Sequence, residues 1–214
     1  MTGHLFNQEL YKIGLRTKIL GRPCKYLNKV SSTIDAANTA SVGTLIMARE
    51  QTNGRGQRQN KWISPPGCAM ASIKLECCKS SLLGKHICFL QHIMALSAAW
   101  MLEKLSEEKL GKNRIALKWP NDIISRNNNQ KLGGILVFTK DQFKKYDVIL
   151  SIGLNVFNKE PTTCINDILN GEDSNCDLKM ETLMCELMNI LEEYTLDLTD
   201  EKFSKIKEDR KSVV

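Results

Sequence analysis

Between Gly84 and Leu105 the sequence reads as one long helix whose middle, Ile87 through Leu102, is apolar on nearly every face. A helix at a protein surface keeps a polar side, so one without it has to be covered all round. The covering is available in the same chain. Cys24–Val30, Thr44–Ala48 and Ala69–Leu75 precede the helix, and Arg114–Lys118, Leu132–Thr139 and Val148–Val156 follow it. Each is short, rich in β-formers and bounded by turn residues, the pattern of a sheet strand. A short helix, Asp35–Ala40, follows Ser31, Ser32 and Thr33, any of which can cap it. Leu178–Tyr194 has helical spacing through Leu183, Leu187, Ile190 and Leu191. Asn127, Asn128, Asn129 and Gln130 read as an exposed loop, and Thr199–Val214 as a charged, poorly packed tail, helical or disordered. The order is mixed α+β without regular βαβ alternation, so a central mixed sheet flanked by helices is expected. At 214 residues there is room for one such domain with small appendages.

Composition narrows function only a little. A net charge of +6 suits an anionic small molecule as readily as nucleic acid. No apolar run reaches the roughly 18 residues of a membrane span, and MTGHLFNQELYKIG lacks a secretory core, so a soluble intracellular protein is expected. The cysteines Cys24, Cys68, Cys77, Cys78, Cys88, Cys164, Cys176 and Cys185 have no C-x-x-C spacing and read as reduced thiols.

Four segments carry chemistry. Glu50 to Trp62 is a basic loop in which Gly54 and Gly56 let backbone amides approach an anion and Arg55 and Arg58 add charge. It matches neither the P-loop nor the dinucleotide fingerprint, and an exposed basic hairpin explains it equally well. Lys118-Trp119-Pro120-Asn121-Asp122-Ile123 ends a strand with a cation, an amide and a carboxylate. Asp122 there suits a magnesium ion shared with a phosphate, or simply caps a turn. In Lys131-Leu132-Gly133-Gly134 a lysine precedes a glycine pair that permits close ligand approach. In Ile152-Gly153-Leu154-Asn155 a buried amide needs partners, so Asn155 either ties down a loop or holds a ligand.

These segments, in this order and after Ser31-Ser32-Thr33, resemble the catalytic domain of biotin protein ligase, the holocarboxylase synthetase of eukaryotes. The resemblance runs from about Lys25 to Leu169 and includes Trp62-x-Ser64-Pro65-x-Gly67-Cys68; Pro161 to Asp167 is similar to the eukaryotic branch. It implies a class II synthetase-like fold with residues 1–24 as an N-terminal extension, 25–198 as the catalytic domain and 199–214 as the tail. It also implies a reaction: biotin and MgATP give biotinyl-5′-adenylate and pyrophosphate, and biotin then passes to one lysine of a carboxylase's biotin carrier domain. By resemblance Ser32, Thr33 and Gln51 hold the biotin ureido ring, and the loop Gly54, Arg55, Gly56, Gln57 closes over biotin and the adenylate. Lys131 contacts the reacting carboxylate and phosphate, with Arg55 and Lys118 as further catalytic cations and Gly134 lining the biotin pocket. Arg58, Trp62, Asn121, Asp122 and Asn155 fall at the nucleotide end, Trp62 on the adenine and Asp122 on the metal. Trp119 is read as packing the strand end.

The sequence departs from the family in three ways. Gln57 stands where arginine commonly helps to retain the adenylate, and the arginine falls one place later, at Arg58. Ser151 replaces the glycine that commonly begins a G-x-G-x-N run, and nothing after Tyr194 has the strands of the family's C-terminal SH3-like barrel. A non-catalytic, truncated biotin-binding form therefore stays open, as does a lipoate or octanoate ligase of the same fold. With about 24 residues ahead of the match, no DNA-binding winged helix is expected. No membrane contact is expected either. The cytosol is the default location, with mitochondria as the alternative, and a homodimer through a sheet edge is left open.

Overall fold

The computed structural model describes residues 6–110, 114–158, 162–170 and 178–212. Pro161, Cys176, Val213 and Val214 lie outside them. In chain order the elements are α1 (Gln8–Gly14), β1 (Cys24–Val30), α2 (Thr33–Asn38), β2 (Leu45–Gln51), β3 (Cys68–Cys78), α3 (Leu82–Lys85) and α4 (Leu90–Leu110). Then come β4 (Ile115–Lys118), β5 (Asp122–Ser125), β6 (Lys131–Asp141), β7 (Lys145–Asn155), α5 (Ile165–Asn170), α6 (Met180–Thr195) and α7 (Asp200–Ser212).

The strands form one seven-stranded sheet in the order β1-β2-β3-β7-β6-β5-β4. Among the described residues only β1 and β2 run parallel; every other pairing is antiparallel. Side chains alternate across a strand, which divides β3 and β7 between two faces. Ala69, Ala71, Ile73 and Leu75 of β3, with Val148, Leu150, Ile152 and Leu154 of β7, join the main core beneath α4 and α6. Ile46 and Ile149 point the other way, into a small cluster with Ile34 and Ala37 of α2.

The all-round apolar helix is buried as its sequence requires: Leu90, Ile93, Met94, Leu96, Ala98, Met101 and Leu102 are each at most 1% exposed. Each such large side chain contributes about 1.5–3 kcal/mol relative to exposure. The helix starts later than its pattern, however. Gly84 belongs to the separate α3, capped by Ser81, and has room for no side chain, since a Cβ there would stand 2.0 Å from the Cys78 carbonyl oxygen. A single turn, Ile87–Phe89, then leads into α4.

Three expectations change. The segment after Lys118 is not only a turn: Asp122–Ser125 is strand β5, folded back on β4. Trp119 does not pack the strand end but is 69% exposed at the tip of that hairpin. The stretch from Thr199 is helical and packed rather than loose, for α7 buries Phe203 and Ile206, with Phe203 against Phe89 and His86. Its charges hide a two-residue apolar stripe. Residues 7–20 join the same core through Tyr11, Leu15 and Leu20.

That segment is held by α6. Glu192 accepts the backbone N–H groups of Lys18, Ile19 and Leu20 at 2.5, 2.8 and 2.7 Å, Asn189 accepts that of Arg16 at 2.7 Å, and Glu181 that of Asn7. The described cysteines are all free thiols. No helix among the described residues is long and apolar enough to cross a membrane.

Candidate active site

The site lies on the α2 face of the sheet, where β6 and β7 place Gly134 directly opposite Gly153. Two adjacent residues without side chains leave a bare patch on the sheet, and an aromatic ring fills it. A Cβ on Gly153 would stand 2.6 Å from the Trp62 indole, and one on Gly134 3.4 Å from it. Gly153 thus leaves room for the indole, whereas a Cβ at Gly134 would make only ordinary contact with it. Trp62 arrives on a small hairpin rather than an open loop: Trp62 N donates to Gly54 O at 3.0 Å, Gly56 N to Asn60 O at 2.7 Å, and Arg55 bridges Lys61. Gly54 is required by that closure, since its Cβ would meet the Trp62 carbonyl oxygen at 2.4 Å. At the hairpin tip Arg58 and Gln59 take left-handed φ values of 54° and 67°, a conformation that costs non-glycine residues energy.

Between hairpin and sheet is a cavity of about 180 Å³. Of the residues the sequence singles out, Thr33, Gln51, Arg55, Gly56, Gln57, Trp62, Asn121, Asp122, Lys131 and Gly134 line it. One end is polar and neutral. Gln51 Oε1 accepts from Thr33 N at 2.7 Å and from Thr33 Oγ1 at 3.1 Å, and Gln51 Nε2 donates to Ser64 Oγ at 3.0 Å. The other end is ionic: Lys131 Nζ lies 2.7 Å from Asp122 Oδ1 and 5.4 Å from the centre of the Trp62 ring. Arg55 is paired with Asp35 on α2 at 2.5 Å.

Five singled-out residues stand off the cavity. Ser32 is fully buried and caps α2, accepting from Ile34 N at 3.3 Å. Gly54 is in the hairpin, and Arg58 turns into the adjoining groove beside Gln91 and Phe138. Lys118, on edge strand β4, lies in a neighbouring groove with Trp119, Leu117 and His92 instead of facing the cavity. Asn155 ties down a loop: it accepts from Asn158 at 2.9 Å and donates to Thr162 Oγ1 at 3.1 Å. Beside it, burial pushes the Cys68 thiol up to about 12, so Cys68 is a neutral packing group at physiological pH.

Sequence reasoning missed Asp35 and Ser72, and noted Ser64 only as part of a motif. Asp35 carries no signal beyond a helix's first turn, and Ser72 is one hydroxyl in an apolar strand. It noted Ser151, which lines the cavity, only as a departure.

A cation beside one carboxylate, an amide and a glycine-closed hairpin can receive a carboxylate and a phosphate together. Magnesium typically uses one or two carboxylates together with substrate phosphates. Asp122 fits that role, and among the described residues no cluster of three or more metal-ligating side chains offers a dedicated cage.

The sequence profile of the biotin/lipoate A/B protein ligase family matches residues 27–155, which span β1 to the end of β7 and every cavity-lining residue. The chain belongs to that family. Over 95% of its length it is 31% identical to biotin–protein ligase 1, chloroplastic, of Arabidopsis thaliana. Its fold superposes on the biotin protein ligase of Leishmania major in complex with biotin with a TM-score of 0.69, at 25% identity, covering 89% of this chain and 81% of that one. Against the Aquifex aeolicus enzyme in complex with biotin and ATP the TM-score is 0.63, at 25% identity, covering 86% and 76%. The chain spans 28% of the human and 55% of the Arabidopsis biotin–protein ligase. In this family member, then, the bare glycine pair, the hairpin and the Lys131–Asp122 pair all lie within the stretch that the family profile matches.

Proposed function

We propose that this chain is a biotin protein ligase, activating biotin with MgATP and transferring it to a lysine of a biotin carrier domain. The observation that carries the reading is one cavity with a neutral hydrogen-bonding end at Thr33 and Gln51 and an ionic end at Lys131. A urea head and a carboxylate tail are the two ends of biotin. Family relatives with similar folds are complexed with biotin, and with biotin and ATP.

In the first step a biotin carboxylate oxygen attacks the α-phosphorus of ATP, a mixed anhydride forms, and pyrophosphate leaves with the electrons of the α–β bridge. The barrier is dominated by bringing two anions together. Lys131 lowers it by exchanging Asp122 for the incoming oxygens, so the ion pair stores the ammonium in place without leaving it unpartnered. Asp122, released from Lys131, would hold magnesium, which supplies charge neutralisation on the phosphates. Arg55 and the hairpin exclude water, which would otherwise hydrolyse the anhydride. In the second step the carrier lysine's neutral amine attacks the acyl carbon, AMP departs with the bridging oxygen and its electrons, and the new amide nitrogen loses one proton to solvent.

A lipoate or octanoate ligase would present a dithiolane or an alkyl chain to the polar end, leaving Gln51 and Thr33 without a matching partner. The reading includes work in the cytosol and a second copy joined edge to edge at β1 or β4. The test is pyrophosphate release from MgATP, with biotin or lipoate supplied separately and a carrier domain added afterwards. Biotin-dependent release followed by carrier labelling is expected; release with lipoate alone transfers the chain to the other branch, and biotin binding without release marks a non-catalytic form.

A further inference from the structure

Ser72 and Ser151 face each other across the β3–β7 pairing, and their hydroxyls extend the polar end of the cavity. Thr33 Oγ1 lies 2.8 Å from Ser72 Oγ, Ser72 Oγ lies 2.9 Å from Ser151 Oγ, and Ser151 Oγ lies 3.3 Å from the Ala71 carbonyl oxygen. Ser72 is 1% exposed and does not reach the cavity, whereas Ser151 lines it. The chain of hydroxyls therefore runs from Gln51 through two buried links and returns to the ligand space at Ser151.

Its polarity is fixed at one end. The Thr33 backbone N–H can only donate, so Gln51 must turn its carbonyl oxygen toward Thr33. Ser72 donates to Ser151 Oγ, and Ser151 donates to the Ala71 carbonyl oxygen. The proton of Ser151 is therefore taken by the protein, and its second lone pair is left for the cavity.

We infer that Ser151 is a specificity-determining residue that accepts a hydrogen bond from an N–H of the bound ligand's urea head. This deepens the biotin reading and rests on it. A glycine at this position leaves the strand wall bare. With serine, a ligand lacking N–H leaves a buried acceptor unpaired, which selects against sulfur rings and alkyl chains.

The test is calorimetric titration of the full chain with biotin and with the two cyclic carbamate analogues in which one or the other urea N–H is replaced by oxygen. Thermal unfolding of each variant checks the fold. The wild-type chain is expected to bind biotin and to disfavour one carbamate about tenfold more than the other. Ser151→Ala is expected to weaken biotin about three- to tenfold and to abolish the difference between the carbamates. Ser72→Ala, which removes the link but not the acceptor, is expected to fall between. Biotin binding unchanged in Ser151→Ala, or an equal loss for all three ligands, would overturn the inference while leaving the biotin reading intact. A wild-type chain that binds no biotin overturns both.

Discussion

Gln57 shows how one residue shifts the balance of a site. It lines the cavity, while its neighbour Arg58, at φ 54°, is turned into the outer groove. Gln57 borders both the cavity and that groove and Arg58 only the groove, at a point where residues 58 and 59 take left-handed φ values. With biotin ligation as the reaction, Gln57→Arg is expected to slow escape of biotinyl-adenylate several-fold, by adding a charge-assisted contact. Dissociation of labelled adenylate into a trap measures it, and equal rates for the two proteins would reject the idea. Lys131 and Asp122 drew notice by themselves, since a glycine pair and a strand-ending turn surround them, whereas Thr33 and Gln51 were singled out only through the family resemblance. Asn155 was legible only as an alternative, loop or ligand, and its Thr162 and Asn158 bonds supply the loop contacts of that pair. Lys118 was not legible: a strand's edge position and the direction of its side chain depend on which strands pair.

At the scale of elements, α6 does two jobs from opposite sides. Leu183, Leu187 and Leu191, all fully buried, form its core face. Glu186 and Glu192 on its margin act on the N-terminal segment and α4. Burial would push both carboxyls up. Hydrogen bonds more than offset this, from Lys104, Arg16 and Asn189 for Glu186 and from the backbone of Leu20, Lys18 and Ile19 for Glu192, holding each below its ordinary range. A carboxyl with a lowered folded-state pKa binds fewer protons folded than unfolded. Its stabilisation is thus complete above the unfolded value of about 4.3 and fades as pH falls through the lower, folded value. Glu192→Gln is expected to lower stability at pH 7 and to lose that difference progressively below about pH 4. Urea denaturation across that range checks the sign, and a gap that widens in acid would contradict it. The helix itself was legible from its spacing, but its polar contacts were not, since they join residues some 170 positions apart.

Over the whole molecule, the sheet separates stability from chemistry. One face carries α4, α6 and the main core, and the other carries α2, the hairpin and the cavity. A change confined to the first face should leave ligand binding alone. Phe203→Ala, which empties the contact of α7 with Phe89 and His86, is expected to cost about 3 kcal/mol or more of unfolding free energy. Pyrophosphate release measured well below the lowered melting temperature should stay within about twofold of the parent; a parallel loss of both would show that the faces are coupled. The sequence by itself determined the mixed α+β class, the burial of α4, every strand but β5 and the four chemical segments. Apolar periodicity and glycine placement are local signals, written within a few residues of where they act. The strand order, the packed α7, the exposed Trp119, the pairing of Gly134 with Gly153 beneath Trp62, and the hydroxyl chain to Ser151 were decided by tertiary structure alone. Each depends on how distant strands or helices meet, and within the sheet a one-residue slip would carry a strand's side chains to the other face.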